Sequence, residues 1–247
     1  MSNLPNKSGS KAIAVLSNEI TKCSFNLSLM EHRIIKQYIS RIKYTEVIDS
    51  RELYVLNIKE FANFWGINAA DVRDELLTAG KTLFDRYIFK GDPNGSYSYS
   101  RWITFFNYNK EEDSISIRWS EELVQHICQL RERFVKLDLM ELIDLKSIYS
   151  WRLYEILVTT IGENSYKNPS FTPEQLMFMM DVPESCKVYK TFKGRVLKVA
   201  VEELKTKVKR FSKMNMVEEK ENGKRKVIGV GFEGVGVGNR YKGVTSL

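Results

Sequence analysis

The sequence predicts an α+β protein in which one order of elements, three helices followed by a β-hairpin, occurs twice. Apolar residues recur at helical spacing in two separate groups of segments, and clusters of glycine and asparagine separate the strand-like segments behind each group. Positive charge is concentrated in the second group. The 247 residues leave room for two small domains.

The first half begins with a helix predicted over residues 27–42, where apolar side chains recur every three or four positions. Ser28 and Glu31 have the spacing of a capping box, in which each side chain bonds to the backbone N–H of the other residue. The helix is therefore expected to start at Ser28. Residues 1–15 contain polar residues, glycine and serine, and we predict a flexible arm there.

Two further helices and a β-ribbon complete the first half. After a short β-rich segment at 53–58, residues 58–65 and 68–84 carry apolar stripes on either side of Gly66, which predicts a helix, a tight turn and a helix. Three strand-like segments follow, at 87–90, 101–108 and 114–119, and the turn cluster 91–95 separates the first two. The pattern predicts a hairpin that protrudes from a three-helix unit.

The same order recurs in the second half, although the halves share no sequence identity. Helices are predicted over 147–160, 172–180 and 189–208, the second with Thr172 as N-cap and Pro173 at its first position. Residues 216–232 are predicted to form a hairpin, because Asn222-Gly223 is a turn signal between strand-like flanks. Three helices and a β-ribbon are the winged helix-turn-helix order, so the predicted fold is two tandem winged helix-turn-helix domains.

This duplication predicts four parts of the chain. They are the flexible arm 1–15, a first winged-helix domain 16–140, a second winged-helix domain 141–233 and a flexible, Gly-rich tail 234–247. We expect a cytoplasmic protein with no membrane partner, because the chain has neither a secretory signal nor a run of about 18 apolar residues.

Motifs for catalysis and metal binding are missing from the sequence. Cys23, Cys128 and Cys186 are odd in number and far apart, which argues against a disulfide framework. His32 and His126 each lack Cys, Asp or Glu at metal-ligand spacing. There is no P-loop, no Gly-x-Ser-x-Gly motif and no histidine pair of the kind that rolling-circle nickases use. We therefore expect no enzymatic centre, no metal and no cofactor.

The positive charge belongs to the second half. Residues 1–140 carry 19 Lys and Arg against 18 Asp and Glu, whereas residues 141–247 carry 19 against 13. Residues 187–226 alone hold 14 basic and 5 acidic side chains. Such a concentration attracts a polyanion through counterion release, although charge alone leaves a merely solvated basic face as an alternative.

The third helix of the second half interleaves cations with apolar residues. A helix placed in the DNA major groove presents polar side chains to base edges while its apolar face holds its own core. The planar fork of Arg195 suits bidentate contact with guanine, whereas the lysines can equally serve phosphates. The predicted DNA-binding residues on this helix are Tyr189, Lys190, Thr191, Lys193, Gly194, Arg195 and Lys198.

Two further groups complete the predicted DNA-binding set. Four cations surround the hairpin turn, where they could follow a groove or a phosphate strand: Lys220, Lys224, Arg225 and Lys226. The corresponding helix of the first half offers Asn68, Arg73 and Lys81, among several acidic residues. We expect this helix to bind DNA more weakly than the third helix of the second half does. A role in dimerisation, or in positioning the protein on the DNA backbone, is an open alternative.

Four segments, in this order and spacing, resemble the iteron-binding plasmid replication initiators, the theta-type family with tandem winged helices. They are Leu27-Ser-Leu-Met-Glu-His-Arg-Ile-Ile, Ile148-Tyr-Ser-Trp-Arg-Leu-Tyr-Glu-Ile-Leu, Tyr189-Lys-Thr-Phe-Lys-Gly-Arg-Val-Leu-Lys-Val-Ala-Val-Glu-Glu-Leu and Gly223-Lys-Arg-Lys-Val-Ile-Gly-Val-Gly-Phe. The resemblance covers roughly residues 15–232. Gly194 departs from it, since the family often has a basic residue at that position.

The resemblance implies that monomers bind directly repeated double-stranded DNA sites at an origin and help to open it. It also implies that dimers, formed through the first domain, repress the initiator's own promoter or inhibit replication. The implied partners are DNA with direct repeats, a second copy of the chain, the host replication initiator and the replicative helicase.

Three other functions remain open from the sequence. A winged-helix transcriptional repressor would use the same binding chemistry, but on an inverted pair of sites instead of an array of direct repeats. A site-specific nickase or recombinase would nick supercoiled origin DNA in the presence of Mg²⁺. A protein-interaction scaffold with an incidental basic face would show no sequence-dependent DNA binding.

Overall fold

The computed structural model describes residues 12–92, 95–131, 133–163 and 168–235. The elements up to the start of the second half are β1 (Ile13–Ser17), α1 (Asn18–Lys22), α2 (Leu29–Ser40), β2 (Tyr54–Asn57), α3 (Ile58–Trp65), α4 (Ala69–Phe84), β3 (Tyr87–Gly91), β4 (Tyr97–Arg101), β5 (Ile103–Asn109), β6 (Ser114–Trp119), α5 (Glu121–Val124) and β7 (Phe134–Asp138). The elements that follow are α6 (Ile148–Glu163), β8 (Ser170–Phe171), α7 (Pro173–Met179), α8 (Tyr189–Phe192), α9 (Lys198–Lys207), β9 (Asn215–Lys220) and β10 (Val227–Glu233).

A π-helical segment, Lys193–Leu197, connects α8 to α9 without interruption. Residues 189–207 therefore form one continuous helix, which we call the basic helix. The pair β9 and β10, with the loop between them, is called the basic hairpin.

The helices begin and end where local sequence signals predict. Ser28 and Glu31 form the predicted capping box at the start of α2. Gly66 ends α3 in the left-handed conformation, with φ of 64°, which costs a glycine little. Thr172 caps α7 with Pro173 in its first turn. The order of three helices followed by a hairpin is confirmed in both halves, by α2, α3, α4 and then by α6, α7 and the basic helix.

The prediction of an arm over residues 1–15 is wrong for its last residues. β1 pairs antiparallel with β7, from Ile13 opposite Asp138 to Ser17 opposite Phe134, and Ala14 and Val15 are buried. The pairing strand lies far away along the chain, so no local pattern announces it. Residues 1–11 of the predicted arm, and residues 236–247 of the predicted tail, lie outside the described residues.

The protruding hairpin of the first half consists of β3 and β4, whereas the sequence predicted its second strand at 101–108. β3 pairs with β4 from Tyr87 opposite Arg101 to Gly91 opposite Tyr97. The chain then turns at Trp102, which is fully buried, and β5 pairs with β6 in a separate sheet of order β2-β6-β5. The alternating tyrosines and serines of β4 were too polar to be recognised as a strand.

In the second half, the basic hairpin is the main part of a sheet of order β8-β10-β9. β9 and β10 pair antiparallel from Asn215 opposite Glu233 to Lys220 opposite Val227. α6 packs against α9 of the basic helix, α7 packs against β10 of the sheet, and Phe192 and Phe232 are fully buried.

The two halves are joined by buried charged side chains on α6. The Arg152 side chain is 2% exposed, and its guanidinium donates to three backbone carbonyls, those of Thr21, Cys23 and Met179, at 3.1, 3.0 and 2.7 Å. It also donates to the carboxylate of Glu155. Another oxygen of Glu155 lies 2.7 Å from Nζ of Lys36 on α2. This cluster connects α1 and α2 of the first half to α7 of the second.

Glu155 is ionised in the buried cluster. Burial by itself would raise the pKa of the Glu155 carboxyl, but the charges of Lys36 and Arg152 outweigh it and leave the pKa below its ordinary value.

A second contact also joins the two halves of the chain, because Ser24 Oγ donates to Asp181 at 2.8 Å.

Candidate nucleic-acid interface

The basic helix buries one face and exposes the other. Five of its apolar residues are at most 1% exposed: Phe192, Val196, Leu197, Ala200 and Leu204. Of the predicted DNA-binding residues, Lys190, Gly194, Arg195 and Lys198 are exposed, whereas Tyr189, Thr191 and Lys193 are partly buried. The exposed cations therefore stand opposite the core, on a surface that a duplex could reach.

A π-helical turn interrupts the α-helical geometry at Lys193–Leu197. Such turns are rare and occur frequently at functional sites. Gly194 lies in this turn, and a Cβ atom at Gly194 would meet no heavy atom within 4 Å. Packing inside the protein therefore does not require a glycine at this position.

Glu218 of β9 holds two residues of the basic helix. Tyr189 Oη donates to Oε1 of Glu218 at 2.5 Å, and Nζ of Lys193 lies 2.8 Å from the same oxygen. The hydrogen bonds from Lys193 and then Tyr189 lower the pKa of the Glu218 carboxyl, against a smaller opposing effect of burial. We call these three residues the Glu218 brace.

The loop of the basic hairpin presents the other predicted cations. Gly223 takes a φ of 73°, and the loop is closed by a hydrogen bond from Glu221 N to Lys226 O at 3.0 Å. All four predicted cations around the loop are exposed. Lys224 lies 2.6 Å from Glu221, whereas Lys220, Arg225 and Lys226 form no ion pair with the residues that the structure describes.

A cleft of about 330 Å³ connects the start of the basic helix to the hairpin loop. It is lined by Pro173, Glu174, Met177, Lys187, Tyr189, Arg225, Lys226 and Val227. The cleft thus brings Tyr189 of the basic helix together with Arg225 and Lys226 of the hairpin, whereas the other predicted residues of the helix do not line it.

The three predicted residues of the first half lie on or beside α4. Asn68 caps that helix, since its side chain accepts from Ala70 N at 3.0 Å. Arg73 forms two hydrogen bonds of 3.0 Å with Asp113 and lowers the pKa of that carboxyl. Lys81 is exposed. Two of the three side chains therefore already have partners within the protein.

Family comparisons agree with this architecture. The model described as "Initiator Replication protein, WH1" matches residues 13–158, and the model described as "Initiator Rep protein, WH2" matches residues 172–233. The chain belongs to this initiator family. The two matches also agree with two winged-helix domains in tandem.

One solved structure shares the fold of this chain. A crystal structure of the Pi initiator protein in complex with iteron DNA is similar with a TM-score of 0.73 and 18% sequence identity, over 91% of this chain and 97% of that chain. The WH1 domain of MSBI1.176, a replication protein isolated from a multiple sclerosis patient, is similar over 40% of this chain and 79% of that chain, with a TM-score of 0.34 and 21% identity. The first similarity establishes a shared fold, whereas the second is too weak to support an argument.

Sequence reasoning did not single out Glu218 or Lys187 in this initiator. Glu218 stands beside two other glutamates, which suggests a solvated acidic turn. Strand alternation was the available signal, because it places Glu218 on the same partly buried face of β9 as Met216. Lys187 precedes the basic helix and begins the most basic stretch of the chain, and its position in the cleft places it beside Arg225 and Lys226.

The described part of the initiator contains no group of three or more His, Cys, Asp or Glu that could hold a metal ion. In the same part of the chain, no helix is both long and apolar enough to cross a membrane. His32 lies beside the rings of Phe25 and Trp151, and burial lowers its pKa to about 3. It is therefore a neutral core residue at physiological pH.

Proposed function

We propose that this chain is a plasmid replication initiator that binds directly repeated double-stranded DNA sites at the origin. It promotes opening of the origin and recruits the host replication initiator and the replicative helicase. The observation that carries the proposal is the cleft in which Lys187 and Tyr189, at the start of the basic helix, meet Arg225 and Lys226 of the hairpin loop. Membership in the initiator family, and the similarity to a protein crystallised with iteron DNA, support DNA repeats as the ligand.

On DNA, the basic helix enters a major groove and the basic hairpin follows the neighbouring phosphates. Arg195 contacts a guanine edge through its planar fork, while Lys190 and Lys198 contact bases or phosphates. Lys220, Arg225 and Lys226 contact phosphates from the loop, together with Lys224 once it leaves Glu221. Asn68, Arg73 and Lys81 supply auxiliary backbone contacts from the first domain. The action is binding without a catalytic step.

We also propose that two copies associate through the first winged-helix domain and that the dimer represses the initiator's own promoter. The sheet β2-β6-β5 supports this, because β2 is an edge strand. Leu53 and Val55 at that edge are 46% and 50% exposed. An edge strand that exposes apolar side chains can pair with another chain once Arg41, whose Nη1 donates to Val55 O at 3.3 Å, moves away. Sedimentation over a range of protein concentrations would measure the monomer–dimer equilibrium.

Footprinting on the DNA that flanks the gene tests the proposed ligand. We expect regularly spaced protection of directly repeated sites, and replication of a plasmid carrying that array only when the protein is supplied. Protection of one inverted pair, without replication, would instead identify a repressor. Supercoiled DNA with the array should stay supercoiled when incubated with the protein and Mg²⁺, since nicking would contradict action by binding alone.

A further inference from the structure

We infer that Glu218 is a positioning residue that raises DNA sequence discrimination by holding the basic helix against the basic hairpin and keeping Lys193 away from phosphates. The inference rests on the proposed function, because discrimination has meaning only for a protein that binds DNA sites. It goes further by giving a role to an acidic side chain within the most basic part of the chain.

The geometry of the brace supports a positioning role. A single carboxylate oxygen receives both Tyr189 and Lys193, at 2.5 and 2.8 Å. These two residues are one helical turn apart, at the first position of α8 and the first position of the π-helical segment. Glu218 therefore holds the two turns that precede Arg195. Among the described residues no side chain caps this helix start, and the brace links it to β9 of the basic hairpin.

The surroundings of Glu218 differ from those of its acidic neighbours. The side chains of Glu218 and Lys193 are 21% and 32% exposed, so their ion pair is partly shielded from water. Glu219 points to the other face of the strand and is exposed, and Glu221 pairs with Lys224 in the loop. Of these three glutamates, Glu218 alone contacts the basic helix among the described residues.

An unpaired Lys193 would weaken discrimination. Lysine is a flexible point charge that reaches phosphates in any sequence, and phosphate contacts supply nearly all of non-specific affinity. The ion pair with Glu218 removes one such contact from the surface. The same bond holds the helix so that Arg195, two residues further on, keeps its direction toward base edges. The brace therefore lowers affinity for random DNA while preserving affinity for the site.

Glu218→Gln and the matched control Glu219→Gln test the inference, because each removes one negative charge from adjacent positions of β9. Dissociation constants are measured on the protected repeat and on a random duplex over a series of salt concentrations. For Glu218→Gln we expect affinity for random DNA to rise about three- to tenfold, and the salt dependence to steepen by about one phosphate contact. The ratio of specific to random affinity should fall by at least as much. Glu219→Gln should change both affinities equally and leave the salt dependence unchanged.

A second pair of variants separates the role of Lys193 from a general loss of structure. Lys193→Gln should leave the salt dependence unchanged in the otherwise native protein, because Lys193 is paired there, but should reduce it in the Glu218→Gln background. Tyr189→Phe removes one bond of the brace without changing charge. Tyr189→Phe should lower the affinity for the specific site and leave the affinity for random DNA unchanged. Thermal unfolding of each variant checks that it folds.

Two outcomes would overturn the inference. One is identical behaviour of Glu218→Gln and Glu219→Gln on both DNAs. The other is that Lys193→Gln, in the otherwise native protein, lowers the salt dependence of binding by about one phosphate contact. That result would show that Lys193 already binds DNA. If the protein without substitutions bound the repeat no better than random DNA, the proposed function itself would be wrong. That result can be distinguished from a failure of the inference on Glu218, which is seen only in the variants.

Discussion

Arg195 differs from several other cations of the interface because it has no ion pair within the described residues. Lys193 is held by Glu218, Lys224 by Glu221 and Arg73 by Asp113. A cation that is already paired must break that pair before it contacts DNA, so its net contribution to binding is reduced. At the scale of single residues, the free cations are therefore the best targets for mutation.

Arg195→Ala should weaken binding to the specific site by about 1–3 kcal/mol and relax the preference at one base pair, since a bidentate base contact is lost. Lys226→Ala is the matched control, because Lys226 is exposed, has no ion pair in the described part of the chain and lies in the hairpin loop. Lys226→Ala should weaken binding to all DNA sequences alike and reduce the salt dependence of that binding. Binding to a library of single-base variants measures both effects. If Arg195→Ala lowered the affinity for specific and random DNA equally, that result would contradict the assignment of Arg195 to a base contact.

His32 should make the stability of the protein depend on pH. Its pKa is about 3 in the folded protein against an ordinary value of 6.5, so the unfolded chain binds more protons between these values. The contribution of His32 is complete above pH 6.5 and is lost as the pH falls toward 3, by about 1.4 kcal/mol per pH unit. In denaturant unfolding at pH 7 and pH 5, His32 should contribute about 2 kcal/mol to the difference in unfolding free energy, and His126, whose pKa burial also lowers, should add to it in the same direction.

His32→Phe is the comparison for this pH dependence, since the side chain lies among aromatic rings and a phenyl ring cannot titrate. The difference in unfolding free energy between pH 7 and pH 5 should shrink in the variant. The charged neighbours Lys36, Arg152 and Glu155 remain in place in both proteins. An unchanged pH dependence would assign it to other groups.

At the scale of elements, local signals predicted most helix boundaries but not the geometry inside the basic helix. The capping box at Ser28 and the left-handed Gly66 act on their own backbone, and both were predicted from nearby residues. The π-helical turn at Lys193–Leu197 was not predicted. Its only local signal was Gly194, which is also compatible with an ordinary α-helix at a cost of up to about 1 kcal/mol.

Gly194→Ala tests why a glycine occupies this turn. The added methyl group meets no neighbour within 4 Å, and alanine is favoured over glycine inside a helix by up to about 1 kcal/mol. We expect the free energy of unfolding to rise by about 0.5–1 kcal/mol. We also expect specific DNA affinity to fall, because the methyl group would stand on the exposed face that we propose to contact the duplex. An unchanged affinity would show that close approach of the backbone is not needed.

At the scale of the whole molecule, α6 carries the charged cluster that joins the two winged-helix domains. Arg152, Glu155 and Lys36 are each at most 2% exposed. The Arg-Leu-Tyr-Glu segment that resembles the initiator family contains two of these three residues. Its role in this structure is to connect α1, α2 and α7, and thereby to set the relative position of the two domains.

Glu155→Gln should destabilise the protein by about 3–5 kcal/mol, because Lys36 and Arg152 would remain buried without a counter-charge. The control is Glu60→Gln, which removes an exposed ion pair with Arg41 and should cost less than about 1 kcal/mol. Denaturant unfolding measures both. A loss below about 1 kcal/mol for Glu155→Gln would mean that water or rearrangement satisfies the cluster.

The sequence by itself determined the order of elements, the duplication and the basic surface of the second half. These depend on periodicity, on caps and on charge, which act between residues close together in the chain. Residue patterns also led to the family that the comparisons identify.

Only the tertiary structure decided which cationic side chains form an ion pair within the described part of the protein and which do not. β1 and β7 pair across almost the whole first half, Arg152 connects three segments, and Glu218 engages Tyr189 and Lys193 from another element. The physical reason is that strand pairing and ion pairing depend on distances in space. Residues far apart in the chain acquire such distances only when the core has formed.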